Sequence, residues 1–125
     1  MRLLLDTHVF VWAVIDSKRL SAKARKLMLD AIEIHVSAAS VWEVAIKRRL
    51  RKFEGDPGEL AAAIEASGFF ALPITPRHAA LVETLPDHHR DPFDRMLIAQ
   101  AMSEPLRLLT ADPELARYTD LVTVV

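Results

Sequence analysis

The chain has 125 residues, 51% of them hydrophobic and 26% charged, and a net charge of −1. That is the length and balance of one folded domain with its own core, here expected to span residues 1–125, and it excludes a disordered chain. With no cysteine, disulfides, thiolate chemistry and cysteine-bound metal clusters are excluded too.

Arg2-Leu3-Leu4-Leu5 is a short apolar run that reads as a buried parallel strand ended by Asp6. Asp6 and His8 cut the run too early for a secretory leader. No apolar stretch approaches a membrane span, so a cytoplasmic protein is expected. Thr7–Ile15 reads as a helix lying on that strand, and Ser21 as the cap of a second helix reaching Ile32. Ile34–Val36 is the next strand. Ser37-Ala38-Ala39-Ser40 then precedes a helix running to Leu50. Asp56-Pro57 opens a helix that Gly68 closes. Phe69–Leu72 is a strand, Thr75-Pro76 opens a helix ending before Pro86, and Asp87–Arg90 is a polar loop. Asp91-Pro92 opens a helix to Ser103, followed by a strand at Leu106–Leu109, a short helix from Asp112-Pro113 and a final strand at Leu121–Val125. Strands alternating with helices predict an α/β fold with a mostly parallel central sheet flanked by helices.

In such sheets ligands gather beyond the carboxyl ends of the strands. Asp6 and Asp112 fall at two such ends, Asp94 in the first turn of the Asp91-Pro92 helix, and Glu43 early in the Ser40 helix. Each has a simpler reading. Asp6, Asp91 and Asp112 are good helix caps. Ser40 and Glu43 have the spacing of a capping box, and Asp94 suits a helix dipole. If the acids converge, their repulsion demands protons or a cation. An oxygen-only donor set suits Mg²⁺ or Mn²⁺, ions that assist in-line attack on a phosphate. Lys47, Arg48, Arg49, Arg51 and Lys52 place five positive charges in six residues of an otherwise acidic chain. That stripe is a candidate track for a polyanion, a contact surface for a partner, or a solvated helix end. Thr7 and Thr110, beside two of the acids, are either strand-end caps or hydrogen-bond partners of the carboxylates. His88-His89, near the acids, reads as a solvated loop, with contact to RNA phosphate or help in protonation as the alternative, and no histidine is chosen as a ligand.

Four segments resemble the motifs of the PIN-domain family. They are Leu3-Leu4-Leu5-Asp6-Thr7-His8-Val9-Phe10-Val11-Trp12, Ser37 to Lys47 around Glu43, His89-Arg90-Asp91-Pro92-Phe93-Asp94-Arg95 running on to Ala101, and Leu109-Thr110-Ala111-Asp112. They occur in family order over nearly the whole chain, in the manner of small VapC-like toxins. The resemblance implies a PIN-like three-layer fold and an Mg²⁺- or Mn²⁺-dependent endoribonuclease. It implies catalytic Asp6, Glu43, Asp94 and Asp112. Asp6 and Asp94 would be the surest metal ligands, and Glu43 and Asp112 would act directly or through water. It also implies a homodimer, an inhibiting antitoxin, and RNA substrates, transfer RNA among them. The alternative is a catalytically silent member that only binds RNA or its partner. A haloacid-type phosphatase would need an acid two residues after Asp6, where His8 stands. A phospho-accepting receiver would need its acids paired before the phosphorylated strand end.

Overall fold

A computed structural model describes residues 1–53 and 55–125. The chain runs β1 (Arg2–Leu5), α1 (Thr7–Val14), α2 (Ala22–Asp30), β2 (Glu33–Ser37), α3 (Ala38–Arg49), α4 (Pro57–Ala66), β3 (Phe70–Leu72), α5 (Pro76–Leu81), α6 (Pro92–Ser103), β4 (Arg107–Thr110) and β5 (Val122–Val124), with 3₁₀ turns at Val82–Thr84 and Pro113–Arg117. The five strands form one sheet in the order β3-β2-β1-β4-β5, and all four pairings are parallel. No helix among the described residues is long and apolar enough to cross a membrane.

Alternation along the strands sends side chains to two separate cores. Leu3, Leu5 and Leu109 pack with Val9 and Phe10 of α1, Val44 of α3 and Leu60 and Ile64 of α4. Leu4 and Leu108 face the opposite way, against Leu97, Ile98 and Ala101 of α6 and Leu85. Both faces of β1 are therefore covered, which is why Leu3-Leu4-Leu5, all fully buried, is an unbroken apolar run rather than an alternating one. The result is three layers, helix–sheet–helix.

Chain order explains where a cleft can open. From β1 the chain steps outward to β2 and β3, then returns across the sheet to β4 on the other side of β1. The carboxyl ends of β1 and β4 thus flank the topological switch point, the position where such sheets hold ligands.

Four helices close with a sixth-to-first hydrogen bond, α6 through Leu106 N to Ala101 O, and three of them share a left-handed turn. After α1, α3 and α4, the sixth residue donates back to the first: Ser17 N to Trp12 O, Lys52 N to Lys47 O and Phe69 N to Ile64 O, each at 2.8–2.9 Å. This is the Schellman arrangement, whose turning residue takes a left-handed backbone. Gly68 does so at φ 77°, as its place in the sequence predicts, but Asp16 (51°) and Arg51 (59°) do so without being glycine.

The main correction in the fold concerns α3. It begins at Ala38, because Ser37 is the cap and accepts from Ala39 N at 3.0 Å. Ser40 therefore lies inside the helix, the capping box with Glu43 does not form, and Glu43 sits in the second turn. The remaining boundaries move by about two residues. The helix after Ser21 stops at Asp30 rather than Ile32, and the one after Thr75 finishes as a 3₁₀ turn.

Candidate active site

Asp6, Glu43, Asp94 and Asp112 all line one cleft of about 500 Å³ at the switch point, together with His8, Trp12, Arg19, Lys47 and Asp91. The capping readings of the three aspartates are also correct, and the two roles share one carboxylate. Asp6 caps α1 through Oδ1, which accepts from Val9 N at 2.9 Å, while its Oδ2 accepts from the Thr110 hydroxyl at 2.5 Å. Asp112 caps its 3₁₀ turn through Oδ1 (Glu114 N, 3.0 Å) and turns Oδ2 to His89 Nε2 at 3.4 Å. Asp91 caps α6 by accepting from the amides of Phe93 and Asp94. In all three the cap uses Oδ1 and leaves Oδ2 outside it.

Glu43 is held from two sides. Thr7 Oγ1 stands 2.6 Å from its Oε1 and 3.0 Å from Ser40 Oγ, and Lys47, one helical turn later, pairs with Oε2. Both threonines beside the acids are thus carboxylate partners, and Thr110 also accepts from Asp112 N at 3.0 Å.

The electrostatics follow from burial and crowding. Burial pushes the Asp6 carboxyl above its usual value of 3.8, and the Glu43 charge adds to this; the Thr110 hydroxyl, the Val9 amide and His8 work in the opposite sense. Asp94 is pushed up to about 7, first by burial and then by the charges of Asp91, Glu43 and Asp6, with His89 offsetting part of the shift. Burial alone would lower Lys47; the hydrogen bond and charge of Glu43, with Asp91 and Asp94 behind them, outweigh it and hold the ammonium above its ordinary value. The cleft therefore carries more negative charge than its own cations neutralise.

His89 departs from the expectation of a solvated loop. Its Nε2 lies 3.5 Å from Asp94 Oδ2 as well as 3.4 Å from Asp112, and His89, Asp94 and Asp112 present donor atoms all within 4.8 Å of one another. Nδ1 accepts from Asp91 N at 3.0 Å. In the neutral ring this leaves the proton on Nε2, assigned from the hydrogen bond, so His89 turns an N–H toward the Asp94 and Asp112 carboxylates without a formed hydrogen bond to either. Arg95 holds the loop in place through Val82 O, Leu85 O, Pro86 O and the Tyr118 hydroxyl, and Tyr118 in turn reaches His89 O at 3.3 Å. The two-residue step from His89 to the capping Asp91 was the available signal; Arg95 gave none beyond its charge.

The donor chemistry fits a hard divalent cation: carboxylate oxygens from several segments, Oδ2 of each capping aspartate free of its cap, and an Asp94 carboxyl pushed towards neutrality by burial and by its neighbouring acids.

The basic stripe is not continuous. Lys47 turns into the cleft, Arg48 lies 3.8 Å from Asp56, Arg49 and Arg51 are exposed, and Lys52 is carried by the turn to the α1 side. Trp42 is 58% exposed, as its place on the helix suggests, and meets Phe93 edge-on at 5.2 Å.

Comparison with known proteins agrees with this architecture. Residues 3–121 match the family profile described as the PIN domain. Ribonuclease VapC22 of Mycobacterium tuberculosis is 32% identical over 122 residues, covering 92% of this chain and 90% of that protein. Among solved structures, VapBC2 from Rickettsia felis, bound to a DNA fragment from its promoter, superposes with a TM-score of 0.69 at 15% identity, over 100% of this chain and 98% of that one. FitAcB from Neisseria gonorrhoeae gives 0.66 at 18% identity, over 100% and 97%. At these identities the two structures speak for the fold alone.

Proposed function

Because this chain belongs to the PIN-domain family, we propose that it is a metal-dependent endoribonuclease acting as the toxin of a toxin–antitoxin pair in the cytoplasm. The observation that carries the reading is the meeting of Asp6, Glu43, Asp94 and Asp112, from four separate segments, in one cleft at the switch point.

In this reading Asp6 and Asp94 hold Mg²⁺ or Mn²⁺, with Glu43 and Asp112 acting directly or through water. A cation bound there would supply positive charge against the phosphate under attack and would make the attacking water more acidic. The chain's own groups do the rest. Thr110 and the Val9 amide fix the Asp6 carboxylate, and Thr7 and Lys47 fix Glu43. His89 offers a donor between Asp94 and Asp112, suited to orienting a carboxylate or a phosphate oxygen rather than to ligating. In hydrolysis the water oxygen bonds to phosphorus, one ribose oxygen leaves with a proton, and the two ends separate.

Of the basic stripe, Lys47 is engaged by Glu43, and Lys52, beside the cleft, with the exposed Arg48, Arg49 and Arg51, would meet RNA phosphates. The toxin reading also brings a small antitoxin and a homodimer as partners. It is supported by the 32% identity to a VapC ribonuclease over most of both chains.

Induced expression in a bacterial host tests the toxin reading. The expected result is growth arrest by the wild-type chain, none by Asp94→Asn, and relief on co-expression of its cognate antitoxin. Unimpaired growth with folded wild-type protein accumulating would contradict it.

A further inference from the structure

We propose that a recess next to the acidic cleft, between α1 and the turn after α3, is a subsite for one unstacked base of single-stranded RNA. The proposal rests on the ribonuclease reading and adds to it the part of the substrate that is gripped beside the scissile bond.

The recess measures about 340 Å³ and includes His8, Trp12, Arg19, Lys52 and Phe53 in its walls. It shares His8, Trp12 and Arg19 with the cleft, so the two adjoin at these side chains. Three rings meet there. His8 lies 5.8 Å from Trp12 at 50° and 6.3 Å from Phe53 at 52°. Both contacts are tilted, so among the described residues no ring is stacked face to face on these three. Unstacked bases are recognised by such ring platforms flanked by cations. The cations are present. Arg19 and Lys52 have no carboxylate partner within 4.0 Å among the described residues, whereas Lys47 is tied to Glu43 and Arg48 to Asp56.

The walls are built by the two left-handed turns noted above. Asp16 turns the chain after α1 so that Ser17 and Arg19 come back to the recess, and Arg51 does the same for Lys52 and Phe53. The first turn is pinned by Arg25, which donates to Asp16 Oδ1 at 2.7 Å, Ser17 O at 2.9 Å and Leu20 O at 3.3 Å. Non-glycine residues kept in a left-handed backbone mark positions that the surrounding structure holds at a cost. Both such positions in the described chain serve this one recess. A duplex cannot present a lone base to it, and an acidic peptide would engage the cations without needing the rings.

The test uses Trp42→Phe protein in chelator, so that Trp12 is the single tryptophan and no metal-dependent cleavage occurs. Trp12 emission is titrated with three probes: decauridylate, a decamer of abasic ribose phosphate, and decaglutamate. We expect decauridylate to quench Trp12 and to bind at least about tenfold tighter than the abasic decamer. Phe53→Leu should shrink that ratio to about twofold with abasic binding unchanged. Arg19→Ala, at an exposed site that leaves the fold intact, should weaken both RNA probes. Equal binding of the two RNA decamers, or binding without quenching, overturns the subsite and leaves the ribonuclease reading standing. Tighter binding of decaglutamate with Trp12 quenching assigns the recess to an acidic peptide instead. Base-selective binding by a protein that cleaves no RNA with Mn²⁺ would remove the ribonuclease reading and keep the subsite.

Discussion

The Thr110 hydroxyl at the end of β4 donates to Oδ2 of Asp6 at the end of β1, across 2.5 Å. Two neighbouring parallel strands thus aim one carboxylate, and the bond forms only because β1 and β4 pair in the observed register, Leu5 opposite Leu109. Thr110→Val removes the hydroxyl and keeps the branch. Such outer partners are worth about 10–100-fold in metal affinity. Mn²⁺ calorimetry should show a loss of that size in the valine variant and near-wild-type binding in Thr110→Ser. Undiminished binding by Thr110→Val would mean that Asp6 is not a ligand or needs no aiming.

Asp94 gives the metal-free protein a pH dependence of definite sign. Its carboxyl group stands at about 7 in the fold against an ordinary 3.8. Between these values the unfolded chain has released its proton and the folded chain has kept it. Stability therefore falls as pH rises from about 4 to 7. Allowing for water at the cleft mouth, the loss is roughly 2 kcal/mol. Asp94→Asn should flatten that slope and, at pH 7 in chelator, raise Tm by roughly 5–10 °C. A lower Tm would make Asp94 a simple helix-dipole acid.

Lys47 serves as the resident counter-ion of Glu43, which is 3% exposed. Lys47→Met leaves that carboxylate unpaired and should cost about 1–3 kcal/mol in denaturant unfolding with chelator present. Saturating Mn²⁺ should narrow the gap, because the cation replaces the missing charge. A cost unchanged by Mn²⁺ would place the metal away from Glu43.

Gly68 and Arg51 occupy the same place in two Schellman turns, so exchanging their chemistry should act in opposite senses. Gly68→Ala meets nothing within 4 Å, so its cost is the left-handed backbone alone, about 1 kcal/mol. Arg51→Gly relieves that strain while loosening the unfolded chain, and should be neutral to slightly stabilising by thermal unfolding. A large loss in Arg51→Gly would show that the arginine side chain, not its backbone, holds the turn.

Much of the sheet was legible because β1, β3 and β4 are short runs followed within two residues by Asp6, Pro73 and Asp112. Three of the four acids were legible because Asp6 and Asp112 sit at strand ends and Asp94 in the first turn of a helix; Glu43 was found by its place in α3, although it lies in the second turn. The start of α3 was misread because both Ser37 and Ser40 can cap, and only the end of β2 chooses between them. His89 was placed in a solvated loop rather than beside the acids because the loop is held by Arg95 through backbone carbonyls that carry no sequence signal. The split of the basic stripe depends on Arg51 taking a left-handed turn usually left to glycine. The recess likewise depends on where two such turns return the chain.

The most direct test of the central claim is cleavage of total cellular RNA by the antitoxin-free protein, with 5′ ends mapped by sequencing, in Mn²⁺, in chelator and beside Asp94→Asn. Discrete cuts that require both Mn²⁺ and Asp94 are the predicted result. Cuts that persist in Asp94→Asn, or none from folded wild-type protein with Mn²⁺, would contradict it.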